Sequence, residues 1–431
     1  MKNILSWSRD VSPPQASPGR RDLLKGAGAL GLASLAGPVL APFQALAAAG
    51  PADALVVPLT RGPYQNDGAS PWSAELPVGS AGQTLKLCLD SGSNFIWMTS
   101  SVCSANRNLC QHYGGGQFQY QQSRSFQWVD QTPKPVSFGP WGTMTVASGK
   151  DLVGLPGGRT QPTTFYLAEN YSGSQFAQLN WDGGIGIPSG SAYVDPGVSF
   201  FVADLMDAGL MDPAYPYVSF NTDPVTGIGT CRFGMPDLNA LDPLSGIRMP
   251  WQPYTAFKGV EYIWTTPLNE YRVGDLVVAS NKMFCLDSGS SQFKGDDGIM
   301  SRTLDLIRSM PVKPSVYLTL GTSMTGGPGR LTVPPSAYEV LIQAGPDLGK
   351  VQPQFQPLGL TDLVLVGSVL MDLFYTIYEY SVTVVSGRHV LKPVAMYLFD
   401  KPGRQFIADR GTATAGNAKI LGPKSVGKEP S

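Results

Sequence analysis

The sequence predicts a mainly antiparallel all-β protein built as two similar halves, and three observations carry that prediction. Six residues occur twice, as Cys88-Leu89-Asp90-Ser91-Gly92-Ser93 and as Cys285-Leu286-Asp287-Ser288-Gly289-Ser290, 197 residues apart. A repeat spaced by nearly half of a 431-residue chain marks two matching units that face each other. From residue 55 onward, apolar and polar residues alternate with the period of a strand. The composition, with 50 Gly, 37 Pro and only 15% charged residues, favours turn-rich sheet over a helical bundle. A chain of this length can bury a core in each half.

The N-terminus reads as an export leader. Arg20-Arg21-Asp22-Leu23-Leu24-Lys25 is a twin-arginine motif, followed by a mild apolar run from Ala27 to Leu46. Ala45-Leu46-Ala47 is a small-x-small cleavage site, with Ala47-Ala48-Ala49 as a second option. Glycines and prolines through the run (Gly26, Gly28, Gly31, Gly37, Pro38, Pro42) argue against a spanning helix. Residues 1–47 are therefore expected to be a signal peptide read by the twin-arginine translocase. The expected product is a bacterial protein exported folded, to the periplasm or beyond. Removing the leader takes five of 31 basic and two of 32 acidic residues and leaves a net charge of −4. That balance, with no basic stripe among aromatics, excludes nucleic acid as a partner. No later segment is long and apolar enough to anchor the mature chain in a bilayer.

Two halves follow, expected at 48–224 and 225–412. The turn chemistry of Asn221-Thr222-Asp223-Pro224 marks the boundary. Along Thr84–Asp90, Leu85, Leu87 and Leu89 share one face while Lys86, Cys88 and Asp90 share the other. Phe284–Asp287 repeats the arrangement. Each aspartate thus leaves a core-anchored strand, and the Ser-Gly that follows turns the chain. Helices are few: Phe200–Leu210, Ser301–Met310 and Pro335–Gln343, with Val369–Tyr375 open between helix and strand. Residues 413–431 are small and polar and are expected to form a disordered tail.

The chemistry follows from what the chain has and lacks. Two carboxylates brought to one point cannot both ionise, so the pair becomes an acid and a base in one site. With only two histidines, His112 and His389, a Ser-His-Asp or His-based zinc site has almost nothing to be built from. Neither histidine is given a role, and both are expected in loops or at the surface. No metal or organic cofactor is needed. Of five cysteines, Cys103 and Cys110 bracket a short loop and are the disulfide candidates.

On these residues the chain resembles the pepsin-type aspartic peptidases, from about Ala54 to Arg410. Beyond the two Asp-Ser-Gly triplets, Val78–Gln83 resembles the approach to the first aspartate, and Asp90–Trp97 keeps the family spacing to tryptophan. Cys103, Cys110 and His112 resemble its small disulfide loop, and Ser123–Phe126 the turn before the flap. Trp181–Ile187 and Leu365-Val366-Gly367 resemble the elements that cradle the two active-site loops. Asp204–Leu210 and Pro335–Tyr338 match family helices in order.

The resemblance implies a bilobal pepsin-like fold and a set of site residues, with Asp90 and Asp287 as the catalytic pair of a monomeric endopeptidase acting on peptides or proteins. It implies that Ser91 and Ser288 reach across to the opposite lobe, and that Ser93 and Ser290 bond the outer oxygen of their own aspartates. Gly92 and Gly289 would donate amides near the pair, and Cys88 and Cys285 would line the substrate pockets. Residues 136–143 align with the flap, with Phe138 and Gly139 over the substrate. Phe138 stands where the family has a tyrosine whose hydroxyl bonds the tryptophan matched by Trp97. Between Ala49 and Ala54 there is no room for an inhibitory segment, so no zymogen is expected. The competing reading is a non-catalytic binder that holds peptide or glycan in its cleft.

Overall fold

In the computed structural model, the described residues are 54–105, 109–138, 142–411 and 421–428. The leader, with Arg20 and Arg21, lies outside them, as does Gly139 of the flap. Strands dominate and helices are short, as the composition predicts.

The first half runs β1 (Ala54–Arg61), β2 (Trp72–Val78), β3 (Gln83–Asp90) and β4 (Ile96–Thr99), then β5 (Gln127–Ser137), β6 (Thr143–Leu155), β7 (Arg159–Tyr171) and β8 (Gly183–Gly186). Helix α1 (Phe201–Asp207) and strand β9 (Tyr217–Asp223) follow. β5, β6 and β7 form an antiparallel meander, and β3 lies between β2 and β8. From Leu87 to Asp90 both faces of β3 are buried, so the alternation read from sequence holds only for its first residues.

The second half runs β10 (Ile228–Gly234), β11 (Ile247–Pro250), β12 (Thr265–Val273), β13 (Leu276–Leu286) and β14 (Phe293–Gly295). Helix α2 (Asp297–Ser309) begins at Asp296, whose carboxylate accepts from Gly298 N at 2.9 Å and Ile299 N at 3.1 Å. Strands β15 (Val316–Ser323) and β16 (Pro328–Val333) lead to α3 (Pro335–Tyr338), β17 (Glu339–Leu341), β18 (Val351–Pro353), β19 (Phe355–Pro357) and β20 (Leu363–Val366). Helix α4 (Ser368–Met371), β21 (Phe374–Val385), β22 (Arg388–Asp400) and β23 (Gly427–Lys428) close the chain. The helix expected over 335–343 is thus a single turn that continues as strand, and Val369–Tyr375 divides between the two states.

Two sequence expectations need correction. The turn at Pro224 lies inside the β9–β10 hairpin, where Ile228 pairs with Asp223. β10 also pairs with β1, and β9 with β21, so both halves share one sheet across the expected boundary. The tail is not wholly loose. Leu421 is buried, Gly427 and Lys428 pair with β21, and Tyr217 donates to Gly422 O at 3.0 Å. One apolar anchor and a short run of backbone pairing suffice where the average composition suggested none.

Candidate active site

Each half builds its loop the same way. β3 runs parallel to β8, with Asp90 opposite Gly186, and β4 returns antiparallel to the same strand. β13 runs parallel to β20, with Leu286 opposite Val366, and β14 returns antiparallel to it. Each aspartate therefore sits where a strand ends and turns back around a short, buried third strand. Backbone bonds fasten the turns, from Ile187 N to Asp90 O at 2.7 Å and from Asp287 N to Val366 O at 3.0 Å.

The two carboxyl groups are buried, each 7% exposed. Their supports match atom for atom. Gly92 N donates to Asp90 Oδ1 at 2.8 Å, and Gly289 N donates to Asp287 Oδ1 at 2.9 Å. The Ser93 hydroxyl donates to Asp90 Oδ2, and the Ser290 hydroxyl donates to Asp287 Oδ2 at 2.7 Å. A Cβ on Gly92 would stand 2.5 Å from Asp287 Oδ1, and one on Gly289 would stand 2.1 Å from Asp90 Oδ1. Only glycine lets each loop come so close to the opposite carboxyl.

Ser91 and Ser288 tie the loops together. Ser91 N donates to Ser288 Oγ at 2.9 Å, and Ser288 N donates to Ser91 Oγ at the same distance. The hydroxyls then donate onward, Ser288 to Leu89 O at 2.6 Å and Ser91 to Leu286 O at 3.2 Å. Tyr378, which the sequence reading did not single out, joins this grip: Ser91 Oγ lies 3.1 Å from its hydroxyl. It lies in an aromatic stretch of β21, where nothing in the pattern separates it from its core neighbours.

Burial raises Asp90 first, and the nearby Asp287 raises it further. The Ser93 hydroxyl and Gly92 amide oppose the rise, and the carboxyl is pushed up to about 7. The Asp90 carboxyl thereby keeps its proton well above the ordinary aspartate range.

The cleft above the pair is lined by Phe95, Phe138, Tyr262, Leu360 and Leu365, among others. Phe138 N donates to Gly142 O at 2.9 Å, so the hairpin expected as the flap is formed by β5 and β6. The Phe138 ring lies edge-on to Phe95 at 5.3 Å and to Trp97 at 5.7 Å. Trp97 Nε1 is buried and has no hydrogen-bond partner among the described residues, as expected when phenylalanine replaces a hydroxyl-bearing ring.

The two cysteines expected to line the pockets stand behind the cleft wall rather than on it, and Trp97 is a core aromatic behind the hairpin. Trp97 and Cys88 are buried in the aromatic cluster that includes Phe95 and Trp181, and Cys285 is buried with Tyr254, Ile263 and Leu363. Sharing a strand face with the aspartate did not expose the cysteines, because neighbouring loops cover that face. Cys103 and Cys110 are joined in a disulfide, while Cys88, Cys231 and Cys285 are free thiols. His112 lies in a loop, as one of the two expectations had it, but its ring is buried, with Nε2 2.9 Å from Asp182 Oδ1 and Nδ1 3.0 Å from Cys110 O. His389 lies in β22, with Nδ1 2.8 Å from Asp207 Oδ1.

Residues 67–70 and Lys294 also escaped the sequence reading. Ser70 N donates to Gly289 O at 2.8 Å and Ser291 N to Gly68 O at 3.0 Å, latching the first half onto the second active-site loop. A signal was present for Lys294, a lone charge in an otherwise apolar and polar-neutral strand seven residues past Asp287.

The comparisons agree with this geometry. The model of the family described as eukaryotic aspartyl protease matches residues 72–387. Pepsin B of Canis lupus familiaris is 23% identical over 346 residues, covering 74% of this chain and 80% of its own. Gastricsin of Homo sapiens is 22% identical over 322 residues, covering 71% and 78%. Rhizopuspepsin-3 of Rhizopus niveus is 32% identical over 156 residues, 36% of this chain and 37% of its own. A fold of two matched loops, each presenting a buried aspartate, and a family match across most of the chain lead to one conclusion: the chain belongs to the eukaryotic aspartyl protease family and is an aspartic endopeptidase.

Proposed function

We propose that Asp90 and Asp287 are the catalytic pair, hydrolysing peptide bonds between large apolar residues on the acid side of neutrality. The observation that carries this reading is the matched support of two buried carboxyls, each pressed against the other loop's glycine. A water held between them loses a proton to the ionised carboxylate as it attacks the scissile carbonyl. The protonated partner donates to the carbonyl oxygen, and a proton then passes to the leaving nitrogen. The apolar lining of Phe95, Phe138, Leu360 and Leu365 supports large apolar side chains on both sides of the cut. In the same reading the twin-arginine motif directs the folded enzyme out of the cytoplasm of a bacterium, where it acts as a monomer on peptides or proteins.

The test is digestion of a denatured protein across pH, with and without pepstatin. Asp90→Asn and Asp287→Asn should each lower cleavage by at least about 10²–10⁴-fold while the fold persists. Activity that survives either change, or that ends on adding a chelator, overturns the assignment. Changing Arg20 and Arg21 to lysine should leave uncleaved precursor in the cytoplasm, and normal export would refute the leader.

A further inference from the structure

Seven residues past each aspartate the two halves part company. The first half carries Trp97 in β4 and the second carries Lys294 in β14. Lys294 is only 4% exposed. Its Nζ donates to Gly68 O at 2.6 Å and to Ser290 Oγ at 3.2 Å. Ser290 in turn donates to Asp287 Oδ2 at 2.7 Å, so the ammonium lies no farther from that oxygen than the two bonds laid end to end. On the other side Ser93 donates to Asp90 in the same way, but the residue in the matching place is an uncharged indole.

The groups facing Lys294 are Asp67, Asp90 and Asp287, with Lys258 and Tyr262 on the same cleft. The strands flanking β14, which are β19 and β20, bring no titratable side chain. Burial pulls the ammonium below the ordinary lysine range, and the three aspartates oppose that pull. Asp67 is pushed up to about 7 by its own burial, so on the acid side it is protonated and leaves the lysine's charge uncancelled.

We propose that Lys294 is a positioning residue that makes the pair electrically unequal. Acting through Ser290, its charge holds the anion on Asp287 and leaves the shared proton on Asp90. Asp287 then takes the proton from the water as the water oxygen bonds the carbonyl carbon. The carbonyl π pair takes the proton of Asp90, giving a neutral tetrahedral diol. This inference rests on the catalytic-pair reading above and deepens it.

The test is the pH profile of kcat/KM for Lys294→Met and Lys294→Gln, using a peptide without titratable groups. Removing a cation beside the pair makes each ionisation harder, so both limbs should move up by about half a unit to one unit or more. Limbs that stay in place while stability falls would show a purely structural bolt and overturn the proposal. Should neither variant fold, pepstatin affinity of the two asparagine variants, with Lys294 in place, decides. An amide replaces a protonated carboxyl more closely than a carboxylate, so Asp90→Asn should keep more affinity than Asp287→Asn. The reverse order overturns the proposal. If the two asparagine variants cut as well as the parent, the pair reading itself has failed, which is a different result.

Discussion

The two active-site loops share a backbone and differ in what stands behind them. On the Asp90 side are aromatic rings, Phe95, Trp97 and, from the β5–β6 hairpin, Phe138. Behind Asp287 are a buried ammonium and a tyrosine hydroxyl, from Lys294 and Tyr378. The shared part is what holds two carboxyls at one point, so its alteration should damage both halves alike. The unshared part gives the two carboxyls different surroundings, and its alteration should change rate or pH dependence while the matched support of the two loops stays in place.

The largest effect expected is on stability against pH. Asp90 and Asp67 are each raised from 3.8 to about 7, and Asp372 to about 6, chiefly by burial. A raised carboxyl keeps its proton in the folded state after the unfolded chain has released it. Its contribution is full below the unfolded value and is lost as pH rises through the folded one. The thermal midpoint should therefore fall as pH goes from about 4 to about 7, and Asp90→Asn should flatten part of that fall. A midpoint that rises over this window would contradict the burial of these groups. Carboxyls held below their ordinary range, such as Asp182 and Asp195, lose their contribution only at lower pH.

Next comes the close approach of the loops. Alanine at Gly289 would set a Cβ 2.1 Å from Asp90 Oδ1, against 2.5 Å for Gly92 and Asp287. Both variants should lose on the order of 10²-fold in kcat/KM, with Gly289→Ala the worse. Equal activity to the parent would mean the loops stand farther apart in solution.

The serine grip should cost less. Losing either hydroxyl strands a buried amide of the other loop, at about 1–3 kcal/mol. In Ser91→Ala the Tyr378 hydroxyl, 3.3 Å from Leu286 O, remains to serve that carbonyl. Urea denaturation should therefore find Ser288→Ala the more destabilised, and the opposite order would remove Tyr378 from the grip.

The smallest effect is at Phe138. Restoring a hydroxyl with Phe138→Tyr offers Trp97 Nε1 a partner worth about 0.5–1.5 kcal/mol, a gain of roughly tenfold or less in kcat/KM. Phe138→Ala should lose more, because it removes the edge contacts to Phe95 and Trp97. If Phe138→Ala cuts as well as the parent, this hairpin is not the flap.

What the sequence revealed and what it hid divide along physical lines. The repeat around Asp90 and Asp287 was legible because loops with one job keep one backbone, and the glycine and serine positions came with it. The alternation at Leu85, Leu87 and Leu89 was legible because one face of a strand meets a core. Cys88 and Cys285 were misplaced because alternation names a face without saying what covers it. The loop position of His112 was expected, but the burial of its ring was not, because that depends on Asp182, seventy residues away. Residues 421–428 were missed because docking there depends on β21, which composition does not see. Lys294 was visible as an anomaly, but its meaning required the position of Gly68 and Ser290.

The shared sheet has a consequence for when activity can arise. β1 pairs with β10 from Ala54 to Thr60 and with β2 only at Thr60 and Arg61, and the loops that close on each other belong to residues 197 apart in the chain. Such distant pairings form slowly and late, because a long loop must be closed before any contact rewards it. A growing chain lacks the second carboxyl, and a half-folded one has not yet brought the two together. The proposed chemistry therefore waits on that long-range closure, so that topology itself delays the enzyme's ability to cut its neighbours.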